Sequence, residues 1–193
     1  MLTGEKNKAC YFDGNNDVIE LRNIARLKTV KQLTVSCWIK PLSIKFWDCW
    51  ISKANSDNRT SQWRLGVGGD PDEFVNQTIH NRDWAEYNTT TTLKLNKWCH
   101  VLYLIDNINL KVSIYIDGEC LNTFDPRELS TSNGPLLIGN QKDDNQFFNG
   151  LMDEVLIYTR LLKEDEIQQL YDQFEQSEKA EIDANLTAAI ERT

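Results

Sequence analysis

The chain has 193 residues, and 21 Lys plus Arg against 29 Asp plus Glu leave a net charge of −8, a length that fits one domain of about 150 residues with a tail or a small second unit. That balance repels polyanions and no cluster of Lys and Arg offsets it, which excludes nucleic acid as a partner. Mean hydropathy is −0.51, and no apolar stretch approaches the roughly 20 residues of a membrane span, so the chain reads as soluble.

Up to about Leu162, short runs alternate apolar and polar residues at period two between Gly, Asn and Asp, the pattern of antiparallel strands buried on one face. In chain order these predict strands over Ala9 to Phe12, Asp17 to Leu21, Leu33 to Pro41, Trp50 to Lys53, Trp63 to Val67, Glu73 to Ile79 and Thr91 to Leu95. The run from His100 to Asp117 is the clearest. Val101, Tyr103 and Ile105 alternate, Asp106 to Leu110 turn, and Val112, Ile114 and Ile116 alternate again, which is a hairpin. Asp117-Gly118 supplies the positive φ of a second tight turn into Cys120, Asn122 and Phe124, and Leu136 to Ile138 and Met152 to Tyr158 complete the set. About a dozen short strands predict an all-β jelly-roll sandwich over roughly residues 8–162, because two packed sheets are needed to bury that many half-apolar faces.

After Leu162 the period becomes helical. Ile167, Leu170, Tyr171 and Phe174 fall at i, i+3, i+4 and i+7 as one stripe, and Glu164, Asp165 and Glu166 suit the first turn. The spacing predicts a short helix from Lys163 to about Phe174. Beyond Glu175 the stripe loses phase, and Ile182, Leu186, Ala189 and Ile190 begin a second amphipathic segment. The organisation expected is a domain over 1–175 and a helical tail or linker over 176–193, which folds back, meets a second copy as a homo-oligomer contact, or meets an adjoining domain.

Five cysteines, Cys10, Cys37, Cys49, Cys99 and Cys120, are too few and too scattered for a disulfide framework. No CxxC pair exists, and His80 and His100 lie far from any cysteine cluster, so thiolate metal ligation is not indicated; the cysteines read as small buried hydrophobes in strands. The start, MLTGEKNKACYF, lacks the apolar core of a secretory signal. The expectation is a cytoplasmic protein, or an extracellular one if the chain is a segment of a longer protein. No Gly-x-Ser-x-Gly elbow announces a nucleophilic triad.

YFDGNNDVIEL at Tyr11, LTVSCWIKP at Leu33, ISK at Ile51, the W-x-H-V phrase of Trp98, His100 and Val101, YIDG at Tyr115, LIGN at Leu137 and FNGLMDEVLIYTRLLKEDEIQQLY at Phe148 together resemble a laminin-G-like, pentraxin-related domain of the concanavalin A-like lectin/glucanase superfamily. The last phrase is the most specific: a G-x-x-D-E-V strand (Gly150, Asp153, Glu154, Val155) followed by a helix opening on Asp165, Glu166 and Ile167, with Lys163 where the family usually has a capping Ser. The resemblance implies a concanavalin A-like jelly roll. Its pentraxin disulfide positions correspond to Ser36 and Leu102 here, so that bridge is missing. Some relatives of this fold hydrolyse glycosides with two carboxylates about 5–5.5 Å apart, supplied by a Glu-x-Asp-x-Glu strand. The nearest echo here, Glu181-Ile182-Asp183, lies in the tail, and adjacent Asp153 and Glu154 face opposite sides of a strand. The chain is read as a non-enzyme.

Calcium takes six to eight hard oxygen ligands, and two loops are rich in them, SDNRTSQ and GNQKDDNQFFNG. The resemblance implies a calcium site in which Asp57 and Asn58 match the pentraxin Asp-Asn pair, Gln141 replaces a Glu, Lys142 stands at a backbone carbonyl ligand, Asp143 matches an Asp and Gln146 a late Gln. Asp13, Asp17, Asp153 and Glu154 read either as turn acceptors of backbone N–H groups or as a second, structural calcium site. Trp47, Trp84 and Tyr87, in loop-like stretches, offer aromatic area for stacking on a sugar. The function expected is non-enzymatic recognition of lectin or pentraxin type: calcium-assisted binding of a glycan or of a small molecule bearing a phosphate head group. The alternative is a structural or protein–protein interaction domain that has kept the fold and lost the site.

Overall fold

The computed structural model describes residues 9–22, 24–27, 29–45, 47–54, 61–67, 74–79, 85–125, 134–141, 146–174 and 176. The chain divides into two compact units, Met1–Leu161 and Leu162–Thr193. Among the described residues the first unit carries β1 (Cys10–Asp13), β2 (Ile19–Leu21), β3 (Gln32–Pro41), β4 (Cys49–Ala54), β5 (Ser61–Val67), β6 (Phe74–Ile79), β7 (Ala85–Thr92), β8 (Cys99–Asp106), β9 (Lys111–Ile116), β10 (Glu119–Phe124), β11 (Leu136–Ile138) and β12 (Asn149–Tyr158), with a 3₁₀ turn over Ala25–Leu27. They form two six-stranded sheets, ordered β1-β12-β3-β8-β9-β10 and β2-β11-β4-β5-β6-β7. Every pairing between these strands is antiparallel.

Alternation explains the core between the sheets. Val35, Cys37 and Ile39 of β3 and Val101, Tyr103 and Ile105 of β8 meet Trp50 and Ile51 of β4 and Trp63, Leu65 and Val67 of β5 in one buried cluster. Asp117 and Gly118 both have positive φ, at 50° and 82°, and turn β9 into β10 as the Asp-Gly pair requires. β12 carries a bulge, its register shifting between Asp153 and Leu156, which gives Glu154 a φ of 46°.

One predicted strand is displaced. Thr91 to Leu95 is strand only as far as Thr92, because β7 begins at Ala85, within a stretch whose Asn, Asp and Glu hid it; Leu95 instead sits exposed in a turn that Asn96 closes at φ 59°. A polar edge strand has little apolar alternation to read.

In the second unit, residues 164–174 form a helix. Glu166 Oε2 accepts the Lys163 N–H at 2.9 Å, the reach-back half of a capping box, so the first turn is capped without the Ser of the resembling family. Apart from Gln176, the expected tail of 176–193 lies outside the described residues. Among those described, no helix is long and apolar enough to cross a membrane.

Candidate functional site

The outer face of the second sheet is built by the residues that alternate with its core. Trp63, Leu65 and Val67 point inward, so Arg64 lies on the opposite face, yet it is buried. Ser52, directly across from Arg64, shares that face and donates its hydroxyl to the Asn140 carbonyl at 3.0 Å. Asn140, just after β11, therefore lies over that outer face. The Gln146 carbonyl accepts the Cys49 N–H at 3.3 Å, and Phe147 bridges to Cys49.

The turn before β4 closes this end of the face. Asp48 Oδ2 accepts the Lys45 N–H at 2.7 Å, and Trp47 is held at φ 65°, a conformation that L side chains seldom adopt. Arg64 locks the turn from below: Nη2 donates to the Trp47 carbonyl and, at 3.5 Å, to that of Asp48. Its guanidinium lies over the half-buried Trp47 ring, 5.3 Å from the centroid, a cation–π arrangement.

Polar saturation fails here. Asp48 Oδ1, Asn140 Oδ1, Gln141 Oε1 and Gln146 Oε1 are buried acceptors with no hydrogen-bond partner among the described residues, and Arg64 Nε is a buried donor in the same condition. Each such group costs about 1–3 kcal/mol. Native proteins rarely tolerate several close together unless something outside the chain pairs with them. Burial also pushes the Asp48 carboxyl up to about 6, against the pull of the Lys45 N–H and of the Lys45 and Arg64 charges. The backbone contacts above tie all five groups to one end of one sheet face.

Of the sequence-derived ligands, Gln141 and Gln146 belong to this cluster, and Trp47 stands at its edge. Asp57, Asn58, Asp143 and Trp84 lie outside the described residues. Tyr87 belongs to β7, opposite Gln77, in a strand where the sequence suggested a loop. Asp48, Asn140 and Arg64 escaped sequence reasoning: a lone charge in an alternating strand reads as exposed, and it is the turn before β4 that meets the Arg64 guanidinium. The unpaired Oε1 atoms of Gln141 and Gln146 are neutral hard oxygens, a donor type that fits calcium.

The other carboxylates behave as turn acceptors. Asp13 Oδ1 takes the N–H groups of Asn15 and Asn16 at 2.8 and 3.2 Å, Asp17 Oδ2 takes that of Asp13, and Asp153 Oδ1 that of Glu154.

A Ser–His pair also exists, at the first sheet: Ser36 Oγ lies 2.8 Å from His100 Nε2, and the imidazole stacks on Trp38 at 5.2 Å. Both residues are buried, and burial lowers the His100 pKa to about 4. The ring carbon shifts of His100, followed by NMR, should therefore stay those of neutral imidazole down to about pH 5; protonation near 6.5 would contradict the packing seen here.

A family model described as the concanavalin A-like lectin/glucanases superfamily, Laminin G 3, matches residues 13–168. No curated protein matches the chain by sequence. Among solved structures, a native heptameric SAP-like pentraxin from Limulus polyphemus is similar at 18% identity and TM-score 0.66, over 83% of this chain and 80% of that one. Domain 4 of AbnA, a GH43 extracellular arabinanase from Geobacillus stearothermophilus, in complex with arabinotriose, is similar at 23% identity and TM-score 0.71, over 87% and 78%. The CBM40 of the Ruminococcus gnavus IT-sialidase, bound to α2,3 sialyllactose, is similar at 14% identity and TM-score 0.68, over 86% and 97%. At such identities the structures speak to the fold, which agrees with two antiparallel six-stranded sheets packed on one core. With most of its length covered by the family model, the chain belongs to the Laminin G 3 family of the concanavalin A-like lectin/glucanases superfamily.

Proposed function

We propose that the chain is a non-catalytic carbohydrate-recognition module that binds its glycan on the outer face of the second sheet, at the start of β4. The observation that carries this reading is four buried acceptors and one buried donor without partners, on residues gathered around the start of β4, where Arg64 also meets the Trp47 ring. A sugar is a dense array of hydroxyls, each both donor and acceptor, so one ring can satisfy several of these groups at once. Its apolar face can rest on an indole. The arabinotriose and sialyllactose carried by two of the similar structures support the class of ligand. The only Ser–His pair among the described residues is buried and belongs to the other sheet, which supports a role without chemistry.

Calcium assistance is part of the proposal. Gln141, Gln146 and Asn58 would contribute amide oxygens, with Asp57 and Asp143 supplying charge. A bound calcium offers coordination positions that hydroxyls or a phosphate group can share.

The test is a glycan array with a phosphocholine arm, each with and without calcium, followed by titration of the best ligand. Trp47→Ala should weaken it about tenfold, which is ~1.4 kcal/mol, with Trp47→Phe recovering most of the loss and the melting temperature little changed. Binding of phosphocholine alone would move the ligand class to phosphate head groups. No ligand in any arm, with a protein partner recovered by pull-down, would replace this reading by that of a protein-interaction domain.

A further inference from the structure

On another side of the sandwich the two sheets leave a space that the core does not fill. β2 and β11, at the edge of the second sheet, are three residues each. In the first sheet, β1 pairs with β12 only from Asn149 to Met152, so among the described residues β12 runs on from Asp153 with a strand on one side alone. The bulge after Asp153 adds an inward side chain, Val155, which packs against the core together with Ile157. Between these elements lies a cavity of about 320 Å³, floored by Leu136 and Ile138 of β11 and walled by Val155, Ile157 and Leu27. That volume lies within the range of small-molecule sites, which are typically apolar with a few placed polar groups.

The polar groups placed here are Thr159 and the charged Arg26. Arg26 lines the same cavity from the 3₁₀ turn, its side chain is exposed, and no ion pair to it is found among the described residues. In a chain of net charge −8, an exposed guanidinium with no ion pair among the described residues thus borders this cavity. Leu21, 42% exposed, lines the rim beside it. An aliphatic wall with one cation at its opening is complementary to an aliphatic chain that ends in an anion.

We infer that this cavity binds a single-chain amphiphile, with the aliphatic chain between β11 and β12 and a carboxylate or phosphate end on Arg26. It is separate from the glycan-binding proposal, because none of its lining residues belongs to the outer-face cluster. The chemistry could come from a free fatty acid or from an anionic lipid surface, and the experiment separates the two.

Full-length protein would be titrated with sodium decanoate, with decanol, and with vesicles of phosphatidylcholine containing phosphatidylglycerol, following Leu, Ile and Val methyl shifts by NMR. Decanoate should shift the Leu27, Leu136, Ile138 and Val155 methyls, and bind about tenfold more tightly than decanol. Arg26→Gln should remove that preference while leaving decanol binding unchanged. Val155→Phe should fill the space and abolish both; if that variant does not fold, wild-type methyl shifts confined to the four residues carry the same information. No binding at millimolar decanoate, shifts elsewhere on the protein, or an unaltered preference in Arg26→Gln would each overturn the inference. So would association with vesicles in the absence of binding to monomeric decanoate.

Discussion

Gly139→Ala should lower stability by about 3 kcal/mol, seen as a fall in melting temperature of roughly 10 °C for a chain of this size. Gly139 has φ 90°, where a side chain is strained by about 1 kcal/mol or more. It also faces the ring of Phe12: a Cβ on Gly139 would sit 2.3 Å from two of its carbons and 3.1 Å from the Asp17 carbonyl. Phe12 is itself in the core, edge-on to Phe148, so its ring has no free direction in which to retreat. Overpacking of this kind adds about 1–3 kcal/mol. The backbone here is also the hinge of the candidate site, since Gly139 bonds through N–H to Trp50 and through its carbonyl to Phe148. Ligand binding should therefore weaken along with stability. Adding Phe12→Leu should recover part of the loss, a coupling that unfolding of the single and double variants measures. A loss below about 1 kcal/mol in the single variant would mean that the ring moves freely.

The strands were legible wherever one face is buried. The hairpin and Asp-Gly turn from His100 to Phe124 appear as β8, β9 and β10 in the expected order, because local alternation and turn chemistry determine them. The resemblance also passes a geometric test: Ser36 and Leu102, equated with the two halves of the pentraxin disulfide, are cross-strand partners. Cys37 and Cys99 are offset by two positions in the same register, on the core side, and remain free thiols.

The candidate site was legible only in part, for a physical reason. Gln141 and Gln146 stand out in an amide-rich loop, but what makes them unusual is that their oxygens are buried without partners, and that depends on packing against β4, 88 residues away in sequence where Ser52 meets Asn140. Arg64 shows the same limit from the other side. Its neighbours Trp63 and Leu65 declare a strand, and alternation then assigns Arg64 to the solvent face; the turn before β4 closes over that position and gives it the carbonyls of Trp47 and Asp48. Edge strands such as β7, where polar residues dominate, carry no such signal at all.

Asp48→Asn should stabilise the protein at neutral pH and cost it ligand affinity. The folded protein keeps the Asp48 proton up to about pH 6, whereas an unfolded chain releases it near 3.9. Ionisation therefore favours the unfolded chain. Well below about pH 4 the carboxyl is protonated in both states and there is no penalty; the penalty grows between about pH 4, where the unfolded chain ionises, and about pH 6, and is complete above about 7. Two pKa units correspond to nearly 3 kcal/mol, and partial access of solvent to the turn reduces this to about 2. Asparagine keeps an oxygen for the Lys45 N–H and carries no charge, so Asp48→Asn should gain about 2 kcal/mol at about pH 7.5 and almost nothing at about pH 3, measured by denaturant unfolding at both values. A chain that retains a carboxylate at such a position gives up stability for something else. The free oxygen, Oδ1, is a buried acceptor without a partner, as are Gln141 and Gln146 Oε1, and a charged acceptor holds a ligand hydroxyl more strongly than a neutral one. The best glycan from the array should accordingly bind Asp48→Asn about tenfold more weakly than wild type at pH 7.5, and the difference should narrow toward pH 5, where wild-type Asp48 is itself neutral. Destabilisation of the variant at pH 7.5 would show instead that the charge is compensated in the folded protein, and would remove Asp48 from the proposed site.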